Sequence, residues 1–255
     1  MIDFHSHILP EVDDGSKSYE ETLEMLAEAK NAGFDTIIST SHYAVNCFEV
    51  PEYKRKNIIE DLNLEENLPN IILGSEIFLT YNVIDLLKDF KASTINGTQY
   101  VLIELPLRQQ FNNLKTVINN LKENDYIPIL AHPERYLYIQ NSFKNLYDLR
   151  EMGVLFQCNY GSILGKYGFK AKSVMKKMLK EGLVSLLGSD AHRKNSIYTQ
   201  IPKAISKIEK YISKEELEEI TTFNADKILS GEYLWYRILH LLTFFVIFVK
   251  INIEF

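Results

Sequence analysis

Short apolar runs alternate along the chain with longer segments that carry helix signals. Continuous runs rich in Val, Ile and Leu are typical of strands that are buried on both faces of a parallel sheet. Counted from the N-terminus they form seven strand and helix units, which favours an α/β fold, a distorted (β/α)7 TIM-like barrel, over a doubly wound open sheet. The predicted strands span residues 2–4, 35–40, 71–73, 100–105, 127–131, 154–158 and 184–187.

Two segments carry the sequence signature of a helix start. Ser18 is followed three residues later by Glu21, and Ser213 is followed in the same way by Glu216. In such a capping box the hydroxyl and the carboxylate each accept a backbone N–H at the start of the helix. We therefore predict helices that begin at residues 19 and 214, the first of which Gly33 can end.

The last segment of the chain, residues 233–255, is unusually apolar. Its uncharged run from 241 to 249 is shorter than the roughly 20 residues of a membrane-spanning helix, and an extension back to residue 234 includes Arg237 and His240. We predict no transmembrane span, one barrel domain over residues 1–232, and a tail whose role is left open. Packing on the barrel or on another subunit is the first expectation, and contact with a membrane surface is the alternative.

Composition narrows the classes of partner and the compartment. A chain of 255 residues matches the usual size of a single barrel, and its 46% of hydrophobic residues is enough to form a core. A net charge of −6 argues against nucleic acid as a tightly held partner, because such proteins usually carry clustered Lys and Arg. Cys47 and Cys158 lack CxxC spacing, and no secretory signal precedes them, so a reducing, cytoplasmic setting is expected.

The first predicted strand ends in two histidines, His5 and His7. Because side chains alternate along a strand, both imidazoles are expected on the same side, where they form a chelating pair. Imidazole is a common ligand of Zn, Mn and Fe. Two histidines without any ligand are the alternative reading of this motif when it is taken alone.

Further metal-ligand residues fall after successive predicted strands. Active sites of barrel enzymes are built on the carboxyl ends of the strands, so these side chains are expected to converge. Together with the first pair they exceed the needs of one ion, which favours two or three ions that share carboxylates. The absence of Cys among them favours Mn or Fe as well as Zn. The added candidates are Asp14, His42, Glu76, Glu104, His132, Asp190 and His192.

Two of these carboxylates, Asp14 and Glu104, must be weighed against roles other than metal binding. Asp14 lies in an Asp-Asp-Gly turn, where acidic residues are common without any metal. Glu104 interrupts the apolar run Val-Leu-Ile-Glu-Leu, where an unpaired carboxylate would be costly unless it is bound by a cation. Asp190 and His192 repeat the one-residue spacing of the first pair, so the sequence contains two such pairs.

Five motifs together resemble the polymerase and histidinol phosphatase (PHP) superfamily: DFHSH, the isolated His42, GSE, HPER and GSDAH. Within it, HSHILPEVDDGS and AHPERY are similar to the bacterial manganese-dependent protein-tyrosine-phosphatase branch that is linked to capsule and exopolysaccharide synthesis. The resemblance covers residues 1 to about 229. It implies a PHP-type barrel and hydrolysis of phosphotyrosine on a partner bacterial tyrosine kinase.

The resemblance also implies three metal positions, with manganese first and iron or zinc as alternatives. It assigns His5, His7, Glu76 and Asp190 to the first ion. It assigns Glu76, Glu104 and His132 to the second, and Asp14, His42 and His192 to the third, so that Glu76 bridges. A helix over residues 19–32 is expected to support self-association, or simply to pack on the barrel.

Arg135, in the HPER motif, is the predicted phosphate clamp, because a guanidinium fork can bind two phosphate oxygens. A surface ion pair is the alternative. Relatives carry a second arginine a few residues after GSDAH, whereas here Arg193 follows at once and residues 194–202 contain none. Arg193 is therefore the candidate for the second phosphate-binding arginine. His42 or His192 is the candidate proton donor to the leaving group.

The expected reaction is direct attack of a metal-bridging hydroxide on phosphorus, without a protein nucleophile. Neither cysteine is followed by the Cys-x5-Arg pattern of cysteine-dependent phosphatases. Three rival functions remain. A small-molecule phosphatase such as histidinol phosphatase would use the same cluster, and a nuclease is a further enzyme class. A non-catalytic regulatory module of a polysaccharide-assembly kinase would act without turnover. The expected location is the cytoplasm, with recruitment to the inner face of the membrane by the kinase.

Overall fold

A computed structural model describes residues 1–234 of the chain. The apolar tail predicted from residue 233 onward therefore lies outside the described residues, except for its first two positions. Within residues 1–234, no helix is both long enough and apolar enough to cross a membrane.

All strand pairs in the described sheets are parallel, and the strands follow one another in chain order around a distorted barrel. The predicted fold class is confirmed. The strands are β1 (Ile2–Ser6), β2 (Thr36–Ser39), β3 (His42–Tyr43), β4 (Asn70–Leu73), β5 (Glu76–Phe78), β6 (Tyr100–Glu104), β7 (Ile127–Ala131), β8 (Leu155–Asn159) and β9 (Leu186–Gly188).

The second and third predicted strands correspond to β2 and β4, and each is followed by a short strand that was not predicted, after Thr40 with Ser41 and after Gly74 with Ser75. One sheet has the order β1-β2-β4, and the other has the order β3-β5-β6-β7-β8-β9. The N–H of Glu76 donates to the carbonyls of Thr40 and Ser41 at 3.1 and 3.2 Å, so the chain is held across the break. Strands β3 and β5 are too short for an apolar pattern, which is why the sequence predicted neither.

The barrel closes between β1 and the residues that follow β9. Ser6 and Ala191 form a parallel bridge. The N–H of His7 donates to the Ala191 carbonyl at 2.9 Å, and the N–H of Asp190 donates to the His5 carbonyl at 2.8 Å. The two predicted one-residue-apart pairs thus face each other at the seam of the barrel.

Helices surround the sheet, and both predicted helix starts are observed. Ser18 accepts the N–H of Glu21, although the Glu21 carboxylate accepts the N–H of Lys17 rather than closing the box. The Ser213 box is complete. The α-helices are α1 (Tyr19–Asn31), α2 (Glu52–Leu62), α3 (Val83–Lys88), α4 (Leu114–Glu123), α5 (Leu137–Asn141), α6 (Lys144–Glu151), α7 (Tyr160–Leu164), α8 (Gly168–Lys180), α9 (Ile201–Ile208), α10 (Lys214–Glu218) and α11 (Asn224–Leu229).

Two groups of buried apolar side chains form the core. The larger group joins the helices to the sheet, and the smaller includes Phe4, Leu102 and Ile129 from the strands together with Ala225 and Ile228 from α11. Filling of the barrel by strand side chains makes it a packed core rather than a pore.

The close packing where β1 meets the residues around β9 leaves no space for a side chain at Gly188. A Cβ on Gly188 would lie 2.5 Å from His5 Cβ and 2.8 Å from Gln157 Nε2. We expect Gly188→Ala to lower the free energy of unfolding by about 1–3 kcal/mol, because overpacking displaces neighbouring groups. Urea unfolding would measure the loss, with Ser206→Ala on the exposed face of α9 as the control. Equal stabilities of the two variants would contradict the close packing of the seam.

Candidate metal centre

Each of the nine predicted ligands lies within 4 Å of at least one other. They lie at the end of β1 and in the loop after it, at the first residues of β3 and β5, which follow β2 and β4, and at or just after the ends of β6, β7 and β9. Three sets of donor atoms are close enough to share a cation, since all atoms in each set lie within 4.8 Å of one another. The sets are His7 with Asp14, His42 and His192; His5 with His7 and Asp190; and His42 with Glu76 and Glu104.

The two histidines of the first motif point into the same space, as the spacing predicted. Their Nε2 atoms lie 3.0 Å apart. Glu76 Oε2 lies 3.2 Å from the first and 3.3 Å from the second, and Asp190 Oδ1 lies 3.8 and 3.5 Å away. The four residues assigned to the first ion therefore form one buried group.

Glu76 lies at the centre of the cluster. Its Oε1 lies 2.9 Å from His132 Nε2, while its Oε2 also lies 3.1 Å from His42 Nδ1. Glu104 lies 3.6 Å from His132 and 3.9 Å from His42. A carboxylate with donors around both oxygens has the geometry that a bridging ligand needs, and the bridging role of Glu76 stays a prediction.

The third predicted group lies nearer the surface. Asp14 Oδ1 is 3.4 Å from His192 Nε2 and 3.7 Å from His42 Nε2. Asp14 is half exposed, whereas the imidazoles are mostly covered. His7 also approaches this group, with its ring 4.0 Å from that of His192.

Two residues that the sequence reasoning missed orient the imidazoles. His5 Nδ1–H donates to Gln157 Oε1 at 2.7 Å, and His7 Nδ1–H donates to Asp13 Oδ2 at 2.8 Å. Anchoring of Nδ1 leaves the Nε2 lone pair directed into the cluster, which is the usual arrangement of a metal-ligating histidine. Gln157 offered a signal, because it is a polar residue inside a predicted buried strand. Asp13 lies beside Asp14, and nothing in the sequence distinguishes their roles.

The donor set fits a divalent cation. It combines imidazole nitrogens with carboxylate oxygens and contains no thiolate, which suits Mn, Fe or Zn. Within residues 1–234, His132 Nδ1 is buried and has no hydrogen-bond partner, and Nε2 of the same ring faces the carboxylates of Glu76 and Glu104. The buried carboxylates also require a positive charge between them.

The pKa values of the cluster are shifted by burial and by the charges of neighbouring groups. Burial raises the pKa of Glu104, and the nearby charge of Glu76 raises it further, to about 8. Burial lowers the pKa of His5, but the charges of Glu76 and Asp190 outweigh it, and the net pKa lies above the usual value. Burial and the charge of His7 lower the pKa of His192 to about 4.

Two predicted ligands adopt a left-handed backbone conformation, His132 with φ of 33° and Asp190 with φ of 54°. Residues other than Gly rarely adopt such values, and strained residues gather at functional sites. The sequence contains no signal of this strain.

A buried arginine, Arg55, braces the break between β4 and β5. Its Nη1 donates to the Gly74 carbonyl at 2.9 Å and to Ser75 Oγ at 2.6 Å, and its Nη2 donates to Ser93 Oγ at 2.9 Å. These bonds fix the residues that immediately precede Glu76. Sequence reasoning did not identify Arg55.

Arg135 lies at the edge of the cluster, where it was predicted to hold phosphate. Its Nη1 donates to Asp190 Oδ2 at 2.8 Å, and its guanidinium carbon lies 4.4 Å from the ring centre of Tyr167. Asn159 Nδ2 donates to the same Asp190 oxygen at 2.8 Å. Arg135 therefore does form an ion pair, which was the alternative to a phosphate-binding role. Its partner is the predicted metal ligand Asp190 rather than an acidic residue on the surface.

Arg193 has other partners. Its Nη1 donates to the backbone carbonyls of Asp14 at 2.7 Å and His192 at 2.6 Å, and also to that of Gly15. These contacts tie the first loop to the loop after β9. The geometry gives no support to the predicted phosphate role of Arg193, which stays a prediction.

A parallel barrel with a histidine and carboxylate cluster at its strand ends is the architecture of metal-dependent hydrolases. A family model described as capsular polysaccharide synthesis, CpsB/CapC, matches residues 1–230. The chain therefore belongs to the CpsB/CapC family, in agreement with the resemblance drawn from its motifs.

Two relatives and two solved structures illustrate this similarity. The tyrosine-protein phosphatase CpsB of Streptococcus pneumoniae is 31% identical, over 92% of this chain and 100% of that protein. The tyrosine-protein phosphatase YwqE of Bacillus subtilis is 30% identical, over 92% and 94%. A crystal structure from work on YwqE and CpsB, described as unique metal-dependent tyrosine phosphatases, superposes with a TM-score of 0.84 at 30% identity, over 92% of this chain and 96% of that chain. A histidinol phosphate phosphatase from Lactococcus lactis shares the fold at a TM-score of 0.55 and 16% identity, over 82% and 93%.

Proton release should accompany metal binding. Because the pKa values of Glu104 and His5 are raised, protons must leave before these groups can act as ligands. We expect the affinity of chelator-treated protein for Mn²⁺ to rise between pH 6.5 and pH 8, with uptake of protons by the buffer in titration calorimetry. An affinity that does not change over this range would contradict the assignment.

The ring of Tyr167 should fix the guanidinium of Arg135. We expect Tyr167→Leu to weaken the binding of inorganic phosphate to the Mn²⁺-loaded protein roughly two- to thirty-fold, the range of a cation–π contact. Tyr167→Phe keeps the ring and should lose less. Equal losses in the two variants, measured by calorimetry, would show that the ring is not what matters.

Proposed function

We propose that this chain is a metal-dependent protein-tyrosine phosphatase that hydrolyses phosphotyrosine on a partner bacterial tyrosine kinase controlling capsular or exopolysaccharide synthesis. The observation that carries the proposal is the convergence of the nine predicted ligands beside Arg135. Family membership and the similarity to CpsB and YwqE support the substrate class.

The cluster would hold two or three ions, with Mn²⁺ first and iron or zinc as alternatives. His5, His7, Asp190 and Glu76 would hold one, and the remaining ligands would hold the others. When bound there, divalent cations lower the pKa of water and offset the charge of phosphoryl oxygens.

The protein's own groups bind and orient the substrate phosphate. Arg135 Nη2 and Nε have no hydrogen bond within residues 1–234, so these N–H groups are available to phosphoryl oxygens. Asp190 and Tyr167 restrict the rotation of the guanidinium. The lowered pKa values of His42 and His192 keep both rings neutral near pH 7, which suits ligands better than proton donors. Phenolate is a fair leaving group and requires little protonation.

A cleft of about 410 Å³ adjoins the cluster at Glu104. Its other walls come from Phe78 and from the loop of residues 105–109, which contributes apolar side chains and Arg108. Phe78 and the aliphatic residues of the loop give the cleft an apolar wall that the ring of a phosphotyrosine can contact. We assign this cleft to the tyrosyl ring.

Hydrolysis by water is favoured over attack by a cysteine. Burial raises the pKa of the Cys158 thiol well above its usual value, so it stays protonated. Cys47 is exposed, and no member of the cluster is a cysteine. Water therefore attacks phosphorus directly, and tyrosine leaves from the opposite side.

The cytoplasmic location expected from the sequence belongs to this proposal, as does recruitment to the inner face of the membrane by the kinase. Self-association through α1 also stays a prediction.

A paired assay tests the function. We expect the Mn²⁺-loaded protein to hydrolyse a phosphotyrosine peptide far faster than histidinol phosphate, to lose activity with a chelator, and to keep activity in Cys47→Ala/Cys158→Ala. His5→Ala/His7→Ala should lower kcat at least a hundredfold, because loss of a group that merely orients a metal ligand already costs about 10 to 100-fold. Faster hydrolysis of histidinol phosphate, or activity that survives complete metal removal, would contradict the proposal.

A further inference from the structure

A group of lysines lies on α8, on α9 and just after α9. Four of them line a cleft of about 160 Å³ together with one aliphatic and one aromatic side chain. We name this surface the lysine track. The cleft is lined by Lys172, Lys176, Lys207, Lys210, Ile163 and Tyr211.

These lysines concentrate positive charge that the protein does not balance. None of the four forms an ion pair within the part of the chain that the structure describes, whereas Lys177 nearby lies 3.7 Å from Glu181. Lys176 Nζ lies 5.6 Å from the ring centre of Tyr211. The net charge of the whole chain is −6, so the track departs strongly from the average of the surface. An unbalanced basic cleft attracts an anionic ligand.

Helix α8, which carries Lys172 and Lys176, starts beside the candidate metal centre. The ring of Tyr167 packs against the guanidinium of Arg135. Lys166 Nζ lies 5.5 Å from the centre of the same ring. Helix α8 starts immediately after Tyr167. At a rise of about 1.5 Å per residue, Lys176 lies roughly 12 Å along the helix from its start. An extended peptide covers that distance in about four residues.

We propose that the lysine track is a docking surface for acidic side chains that flank the phosphotyrosine of a peptide substrate. This inference rests on the proposed function, because it assumes that phosphotyrosine occupies the site beside Arg135. Charge complementarity favours such a peptide, and α8 leads from Tyr167, beside Arg135, to the lysines of the track. A cleft that is lined by lysines and by Tyr211 suits an extended chain better than the plane of a lipid surface.

Kinetics with two peptides test the track. One peptide carries three Glu residues on each side of phosphotyrosine, and the other carries Gln at the same places. The track variant is Lys176→Gln/Lys207→Gln/Lys210→Gln. The matched control, Lys88→Gln/Lys214→Gln/Lys227→Gln, removes three exposed lysines on other helices.

We expect the unaltered protein to prefer the Glu peptide, with a lower KM. The track variant should lose that preference roughly tenfold in kcat/KM, and the control should keep it. Salt at about 0.5 M should abolish the preference in the unaltered protein, since it screens exposed charges.

Other outcomes would overturn the inference in distinguishable ways. An unchanged preference in the track variant would overturn the docking role. If that variant instead loses binding to vesicles of anionic phosphatidylglycerol while its peptide kinetics stay unchanged, the track is a membrane contact. If the unaltered, Mn²⁺-loaded protein hydrolyses neither peptide, the proposed function itself fails.

Discussion

The site depends on the way the barrel closes. Two backbone hydrogen bonds, from His7 N–H to the Ala191 carbonyl and from Asp190 N–H to the His5 carbonyl, join the first strand to the residues after the last one. They bring together two pairs of side chains that lie about 185 residues apart in sequence. Gly188 permits this approach because any Cβ there would overlap His5. Without this closure Asp190 would lack the imidazoles of His5 and His7.

Once closed, the cluster places anionic groups in a buried setting that requires compensation. Glu76 and Asp190 remain charged because neighbouring imidazoles, and for Asp190 also Arg135, outweigh the effect of burial and hold each pKa low. Gln157 and Asp13 then fix the tautomers of His5 and His7. Arg135 is linked to the cluster through Asp190, so the group that would bind phosphate and the groups that would bind metal are oriented together. The proposed reaction needs both in one place.

Much of this was readable from the sequence because metal ligation depends on residue type and position. The pairs His5 with His7 and Asp190 with His192, placed at strand ends, predicted the convergence that the structure shows. The breaks before β3 and β5 were missed, since strands of two or three residues leave no apolar period. Gln157, Arg55 and Tyr167 were missed for another reason: each acts through a contact distant in sequence, such as the 152 positions between His5 and Gln157. Asp13 contacts the nearby His7, but the sequence does not distinguish its role from that of Asp14.

The central claim is that the nine strand-end residues bind divalent cations. Diffraction data collected at the manganese absorption edge from crystals grown with Mn²⁺ would test it most directly. The account predicts two or three anomalous peaks, each about 2.0–2.6 Å from donor atoms of the cluster, with Glu76 contacting more than one. Peaks that lie elsewhere on the protein, or a cluster without any peak at saturating Mn²⁺, would contradict it.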